Sequence, residues 1–300
     1  RTPGHRGPPT STARSGATMR YAKLVLAAIC ALGAPLAVSD KKATDTTPAE
    51  DLEVYRAFFN KRFPGVPLNE FGNGVYSIDK VSRDSWEAIE DFPPYAPMID
   101  AGETLWKRPF ANGKTLGSCF GHDPAQRGNY PHWDAERKLV VTLPLAINEC
   151  LEANGERPLD YKKGKIADLL AYISYASRGQ KIAVEVPDDP DALAAYNAGK
   201  SFYFARRGQL NFSCASCHMQ SAGMHSRADI LSPALGHASG WPVYRSKWGE
   251  LGTLHRRFDG CNERVRAKPF EAQGEEYRNL EYFQTHMSNG IEYNGPSARK

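Results

Sequence analysis

Sulfur is scarce in this 300-residue chain: there are six cysteines, and a single pair is spaced C-x-x-C. A structural zinc site takes four ligands in matched pairs, so the lack of a second C-x-x-C argues against zinc. Residues 1–39 contain no acidic residue, although they hold Arg1, Arg6, Arg14, Arg20 and Lys23. Long apolar runs are missing too. Leu24 to Leu36 is the main one, and it falls short of the roughly 20 residues of a membrane-spanning helix. What is there reads as an export signal over residues 19–39, with Met19 as the start. Arg20 and Lys23 form its charged region, Leu24 to Leu36 its apolar region, and Ala37-Val38-Ser39 a small-residue cleavage site before Asp40. An uncleaved membrane anchor is the alternative. Residues 1–18, rich in Gly, Pro, Ser, Thr and Arg, are expected to be a disordered upstream segment. Removing the five positive residues of 1–39 lowers the formal charge from +4 to −1. The mature chain thus offers no basic surface for nucleic acid or membrane lipid and, apart from that alternative, no integral span.

Cys214-Ala215-Ser216-Cys217-His218 is C-x-x-C-H, the attachment sequence of a c-type haem. Each cysteine can form a thioether to a haem vinyl group, and the histidine is placed to bind the iron. A thioredoxin-like dithiol competes for the same pattern, but it should follow a strand, and here the lead-in is helical. One covalently bound haem c is therefore expected. Of the other cysteines, Cys30 leaves with the signal, and Cys119, Cys150 and Cys261 remain. An exported compartment oxidises cysteines in pairs, so three leave one over, as a free thiol or a ligand.

The periodicity predicts helices over Ala49–Phe63, Ala146–Ala153 and Lys165–Arg178, the last closed by Gly179. Leu139 to Leu143 reads as a short strand or buried turn, and residues 64–100 as loops and short helices. Val184 to Pro190 reads as a linker. A helix capped by Asp191 should run to about Arg207, with Gly199 where another helix can approach closely. Glu275–Ser288 supplies a terminal helix. A helix before C-x-x-C-H and another packed across it is the usual cytochrome c arrangement. The first half repeats this plan weakly around Cys119, yet His122 lacks paired cysteines before it. The expected fold is mainly α, with two cytochrome c-like domains in tandem: a haem-less one over 50–183 and a haem-binding one over 190–295.

An iron held by His218 needs a sixth ligand or an open position. Met219, Met224, Met287, His225, His237 and His255 are available, and the left-over-cysteine argument favours Cys261. The stretch from His255 to Arg266 packs Arg256, Arg257, Arg264 and Arg266 around that thiol. Guanidinium groups stabilise a thiolate, the form that binds iron or attacks sulfur. They also recognise tetrahedral oxyanions through a rigid fork of donors. A solvated basic face, partly neutralised by Asp259 and Glu263, is the simpler reading of the same residues.

Three segments together resemble SoxA, the larger haem subunit of the periplasmic thiosulfate-oxidising cytochrome complex. They are Arg206 to His218, Arg257-Phe258-Asp259-Gly260-Cys261 with Val265-Arg266-Ala267, and Leu169 to Ile173 with Ser177-Arg178-Gly179. The resemblance spans roughly residues 50 to 295. It implies a periplasmic L-cysteine S-thiosulfotransferase, which joins thiosulfate oxidatively to a cysteine of a sulfur-carrier protein. It implies that Cys261 is the distal iron ligand and carries a persulfide, that Arg257 contacts the substrate, and that His218 is the proximal ligand. Many relatives hold a second haem in the first domain. This chain has Cys119 alone there and resembles the single-haem branch, in which a Cys119–Cys150 disulfide takes its place. The implied partners are a small SoxX-like cytochrome c subunit, as a heterodimer, and a SoxYZ-like carrier that docks transiently. The alternatives are an electron-transfer cytochrome without a catalytic thiol, and a sulfur-oxyanion binding module whose haem is structural.

Overall fold

Helix α1 (Pro48–Arg62) is set by a capping box. The Thr47 side chain accepts from the Glu50 amide, the Glu50 carboxylate accepts from the Thr47 amide, and Pro48 occupies the first turn. The structure is a computed structural model, and it describes residues 46–299. The expected upstream segment and signal peptide lie outside them. The other helices are α2 (Lys80–Glu90), α3 (Ala96–Lys107), α4 (Leu116–Cys119), α5 (Leu143–Ala153), α6 (Lys165–Ala176), α7 (Pro190–Phe204), α8 (Leu254–Arg264) and α9 (Glu275–His286). Beside 3₁₀ segments at Leu68–Ser77 and Arg127–Asn129 there are three small sheets: β1 (His132–Asp134) with β2 (Leu139–Val141), β3 (His225–Ser226) with β4 (Asp229–Ile230), and a three-stranded sheet. In the last, β5 (Val243–Arg245) pairs antiparallel with β6 (Glu250–Gly252) and parallel with β7 (Ser297–Arg299). No described helix is long and apolar enough to cross a membrane.

Two helix crossings organise the packing. Helix α3 packs on α6, and α7 on α9. Each crossing is close because a glycine faces a carbonyl. A Cβ on Gly102 would lie 2.0 Å from the Asp168 carbonyl oxygen, and one on Gly199 would lie 2.0 Å from that of Asn279. One core surrounds α3, α5 and α6, with Trp106, Ile147, Leu169 and Ile173. A larger core surrounds α7 and α9, with Tyr196, Tyr203, Leu280 and Phe283, and it draws in Tyr55 and Phe59 of α1, Phe71 and Val140.

The same order of elements occurs twice. Residues Pro131 and Pro242 each precede a hairpin of identical register, in which His132 faces Val141 and Val243 faces Gly252. Each hairpin runs into a helix capped by a threonine side chain, Thr142 for α5 and Thr253 for α8. A cysteine stands eight residues after each cap, Cys150 and Cys261. The Sγ atoms of Cys150 and Cys119 are bonded, with Cα atoms 6.2 Å apart. The Asn154 amide lies over both sulfurs at 3.7 and 3.9 Å.

Helix α7 differs from expectation at both ends. Asp189, not Asp191, is the cap, and its carboxylate accepts from the Asp191 amide at 2.8 Å. Proline at 190 suits the first turn, having no amide to satisfy and a preset φ. The helix ends at Phe204 rather than Arg207, because Gly208, at φ +68°, turns the chain against the Val265 carbonyl. Helix α9 ends at His286, earlier than Ser288, with Met287 as its cap.

Two stability predictions follow from this packing. Replacing Cys119 and Cys150 by serine opens a loop of 31 residues and should lower unfolding free energy by about 3 kcal/mol; urea unfolding of the haem-loaded chain measures it. Gly199→Ala should force α7 from α9 and cost about 2–3 kcal/mol in the same measurement, and an unchanged urea midpoint would show that the crossing does not need its glycine.

Candidate haem and thiolate site

Cys214, Cys217, His218 and Cys261 come together at one end of the larger core. Residues Ser216–Gln220, which include Cys217 and His218, form a single π-helical turn, a local widening common at functional sites. Ser213 stiffens the entry, its hydroxyl accepting from the Ser216 amide at 3.1 Å. The Nδ1 of His218 lies 3.0 Å from the Ser232 carbonyl oxygen. A carbonyl only accepts, so Nδ1 carries a proton, which leaves Nε2 as the ring nitrogen available to a metal. The Ser232 hydroxyl bonds His237 at 2.9 Å, and the His237 ring stacks edge-on behind His218 with centroids 4.5 Å apart.

Three free thiols share this pocket, and the surroundings sort them. Burial pushes Cys214 up to about 12, and burial likewise raises Cys217. Burial also opposes ionisation of Cys261, but the Arg257 charge, a hydrogen bond with His218, the His218 charge and the Arg264 charge outweigh it. The thiol falls to about 6. Cys261 is therefore the thiolate of the pocket at neutral pH, while the C-x-x-C pair stays protonated. Two neutral thiols at thioether spacing, an imidazole with Nδ1 held by a carbonyl and a facing thiol of lowered pKa fit a c-type haem. Among the described residues, no group of three or more His, Cys, Asp or Glu could hold a metal ion by itself.

Cys261 owes its position to α8, a helix that sequence periodicity missed. The segment is charge-rich and contains Gly260, and its apolar stripe is only Leu254 and Phe258. Spacing of i, i+4 and i+7 puts Arg257, Cys261 and Arg264 on one face. The opposite face, with His255, Phe258, Asp259 and Asn262, is buried. There His255 Nε2 is 3.0 Å from the Glu281 carboxylate, which lies 3.9 Å from buried Arg127. Lys162 reaches Asp259 at 2.6 Å, and the Thr253 hydroxyl donates to the Tyr161 carbonyl at 2.8 Å.

Not every residue weighed for the site reaches it. His255 is committed to Glu281, and its Nδ1 accepts from the Gln273 amide. Met287 is buried in the core, Met219 packs against it, and Met224 and His225 are exposed. His237 stands behind His218. Of the arginines, Arg256 pairs with Glu250 at 3.0 Å and lies over the Trp248 ring, and Arg266 bonds Gln209. Only Arg257 and Arg264 of that group act on the thiol. Arg245 joins them from β5: burial first, then the Arg257 and Arg264 charges, lower its pKa to about 10, and Cys261 counteracts them. It lies 16 residues before Cys261 on another element, so no local pattern marks it.

The SoxA/TsdA cytochrome c domain family matches residues 101–182, a stretch that holds the Cys119–Cys150 bond and no C-x-x-C-H. The L-cysteine S-thiosulfotransferase subunit SoxA of Allochromatium vinosum is 60% identical over 277 residues, covering 92% of this chain and 98% of that one. The protein of the same name from Chlorobaculum thiosulfatiphilum is 56% identical over 250 residues, covering 83% and 87%. A crystal structure of SoxXA from P. pantotrophus has TM-score 0.65 at 31% identity, over 72% of this chain and 84% of that one. With such identity over almost its whole length, and with the thiolate, the histidine and the C-x-x-C pair in one pocket, the chain belongs to the SoxA family.

Proposed function

We propose that this protein is the haem c subunit of a periplasmic L-cysteine S-thiosulfotransferase. The observation that carries the reading is the placement of Cys261 opposite His218 of the C-x-x-C-H turn, on the helix face that also carries Arg257 and Arg264. Cys214 and Cys217 would hold the haem through thioethers, and His218 Nε2 and Cys261 Sγ are the donors this chain would offer its iron. When bound, the haem supplies a one-electron redox centre. Overall, thiosulfate and a carrier thiol become a cysteine S-thiosulfonate, releasing one proton and two electrons. Arg257 offsets the charge of thiosulfate beside the sulfur. A thiolate committed to a metal is a weak nucleophile, so Cys261 would react either once free of the iron or through the outer sulfur of a persulfide. The Ser232 carbonyl keeps His218 in the binding tautomer.

The two halves are tandem cytochrome c-like domains over 50–183 and 190–295, and the first has no haem. Support comes from the repeated order of elements and from the cytochrome c family match to the half without C-x-x-C-H. In that half Cys150, which follows its threonine cap by the same eight residues as Cys261, is bonded to Cys119. The likeness to SoxXA supports a heterodimer with a small SoxX-like cytochrome c. A SoxYZ-like carrier presents the acceptor cysteine.

The test is the Cys261→Met variant of the haem-loaded complex, with thiosulfate as substrate. Haem content should be retained, the low-spin histidine/thiolate electron paramagnetic resonance signal should vanish, and kcat/KM should fall by roughly 1,000-fold or more. Retained turnover would remove Cys261 from the chemistry, and a signal unchanged by the substitution would remove it from the iron.

A further inference from the structure

On the side of α8 away from the thiol, three buried donor atoms lack a hydrogen-bond partner among the described residues: Arg127 Nε, His255 Nε2 and Gln273 Nε2. His255 Nε2 stands 3.0 Å from the Glu281 carboxylate but off the line of a hydrogen bond. Arg127 is 3.9 Å from the same carboxylate, beyond hydrogen-bond reach. All four side chains line one cavity of about 20 Å³, and every lining residue except Trp241 is buried. One water molecule needs roughly 10–15 Å³ of such space. Charge decides what suits the cavity. His255 Nδ1 accepts from the Gln273 amide at 3.0 Å, so that ring is neutral. Arg127 and Glu281 then cancel, and an uncharged guest is favoured over an ion. Water can accept from two of the donors and donate to the Glu281 oxygens.

Gln273 ties this centre to both threonine-capped helices. Its side-chain oxygen accepts from the hydroxyl of Thr142, the cap of α5, at 2.5 Å. Its amide serves His255 in the first turn of α8, and its carbonyl accepts from Arg278 of α9. To make these contacts it holds φ at +63°, a left-handed conformation that is costly for a residue with a Cβ. Backbone strain kept at a buried position is a mark of a task. The task lies on α8. That helix is anchored by few apolar groups, Leu254 and Phe258, so its polar contacts fix its rotation and height. Cys261 follows His255 by six residues, about 9 Å along the axis and roughly 240° around it. A turn of the helix at His255 is therefore a displacement of the sulfur.

We infer that Gln273 and Glu281 are positioning residues for the Cys261 sulfur, acting through His255 around one bound water. The inference rests on the proposed function for the place of Cys261 at the iron. It goes beyond that reading by assigning roles to two residues on the far side of α8 and a ligand to the cavity between them.

The experiment uses Gln273→Gly, Gln273→Met and the double variant Arg127→Met with Glu281→Leu, all haem-loaded. Gln273→Gly relieves the backbone and removes only the side chain, Gln273→Met keeps the length without the donor, and the double variant leaves no lone buried charge. In each, the histidine/thiolate resonance signal should broaden or split into a second low-spin population. Turnover in the complex should show kcat reduced about 10-fold, with KM changed by less than about 2-fold, because substrate is not touched. A lowered urea midpoint with signal and kcat unchanged would make these residues merely structural and overturn the inference. If the double variant does not fold, the two Gln273 variants decide alone. A crystal structure of the wild type should show one water bonded to Gln273 Nε2 and Glu281. An anomalous peak in that cavity after a bromide soak would overturn the neutral guest. A wild type that has the water but no histidine/thiolate signal would bring down Cys261 as the iron ligand, leaving the water site standing.

Discussion

The placement of Cys261 depends on how α8 is seated. Its inner face must bury a histidine and an aspartate, and burying charge is tolerated only when it is paired. Glu281 of α9 and Arg127 of the first half answer His255, and Lys162 answers Asp259. Both halves of the chain thus hold one helix. The benefit is electrostatic as well as geometric. With Asp259 turned inward and matched to Lys162, the outward face of α8 presents arginines and no carboxylate partner to the sulfur. The same eleven residues can then satisfy a buried ion network on one side and stabilise a thiolate on the other.

A helix crossing at a glycine, a hairpin of one register and a threonine-capped helix recur in both halves of the described chain. Each half puts a cysteine eight residues beyond the cap. In one half the thiol is consumed by Cys119. In the other it is kept free, lowered in pKa and faced by an imidazole. Counted from the threonine caps and through the hairpins, they also differ in charge: Arg245 stands at the place of Asp134, Arg257 at that of Ala146 and Arg264 at that of Ala153.

Much of this was legible in the sequence, for identifiable reasons. C-x-x-C-H is a contiguous motif, and α1, α6 and α9 carry apolar stripes long enough to read. The close approach at Gly199 was also legible, since a glycine inside an apolar helix needs a reason. Helix α8 was not, because its burial is largely of polar groups paired across the fold, and periodicity scores only apolar faces. The arginine-rich stretch was read as one cluster around the thiol. The fold instead divides it by helical angle, sending Arg256 to Glu250 and Arg266 to Gln209. Arg245 could not be found from local spacing, because sheet pairing, not sequence distance, brings it to the site.

The disulfide has a consequence for how the protein is made. Covalent haem attachment needs Cys214 and Cys217 as reduced thiols, while the Cys119–Cys150 bond needs an oxidant, and one chain must accommodate both. The fold keeps them in separate cores. Cys150 packs with Trp106 and Ile147, and Cys214 packs against the Tyr196–Phe283 core. Once the α3–α6 half has closed over its own pair, no partner from that half is left for Cys261. Closure of the first half before the second would therefore leave only Cys214 and Cys217, among the described cysteines, as sulfurs that could pair with Cys261, and thioether formation would remove both.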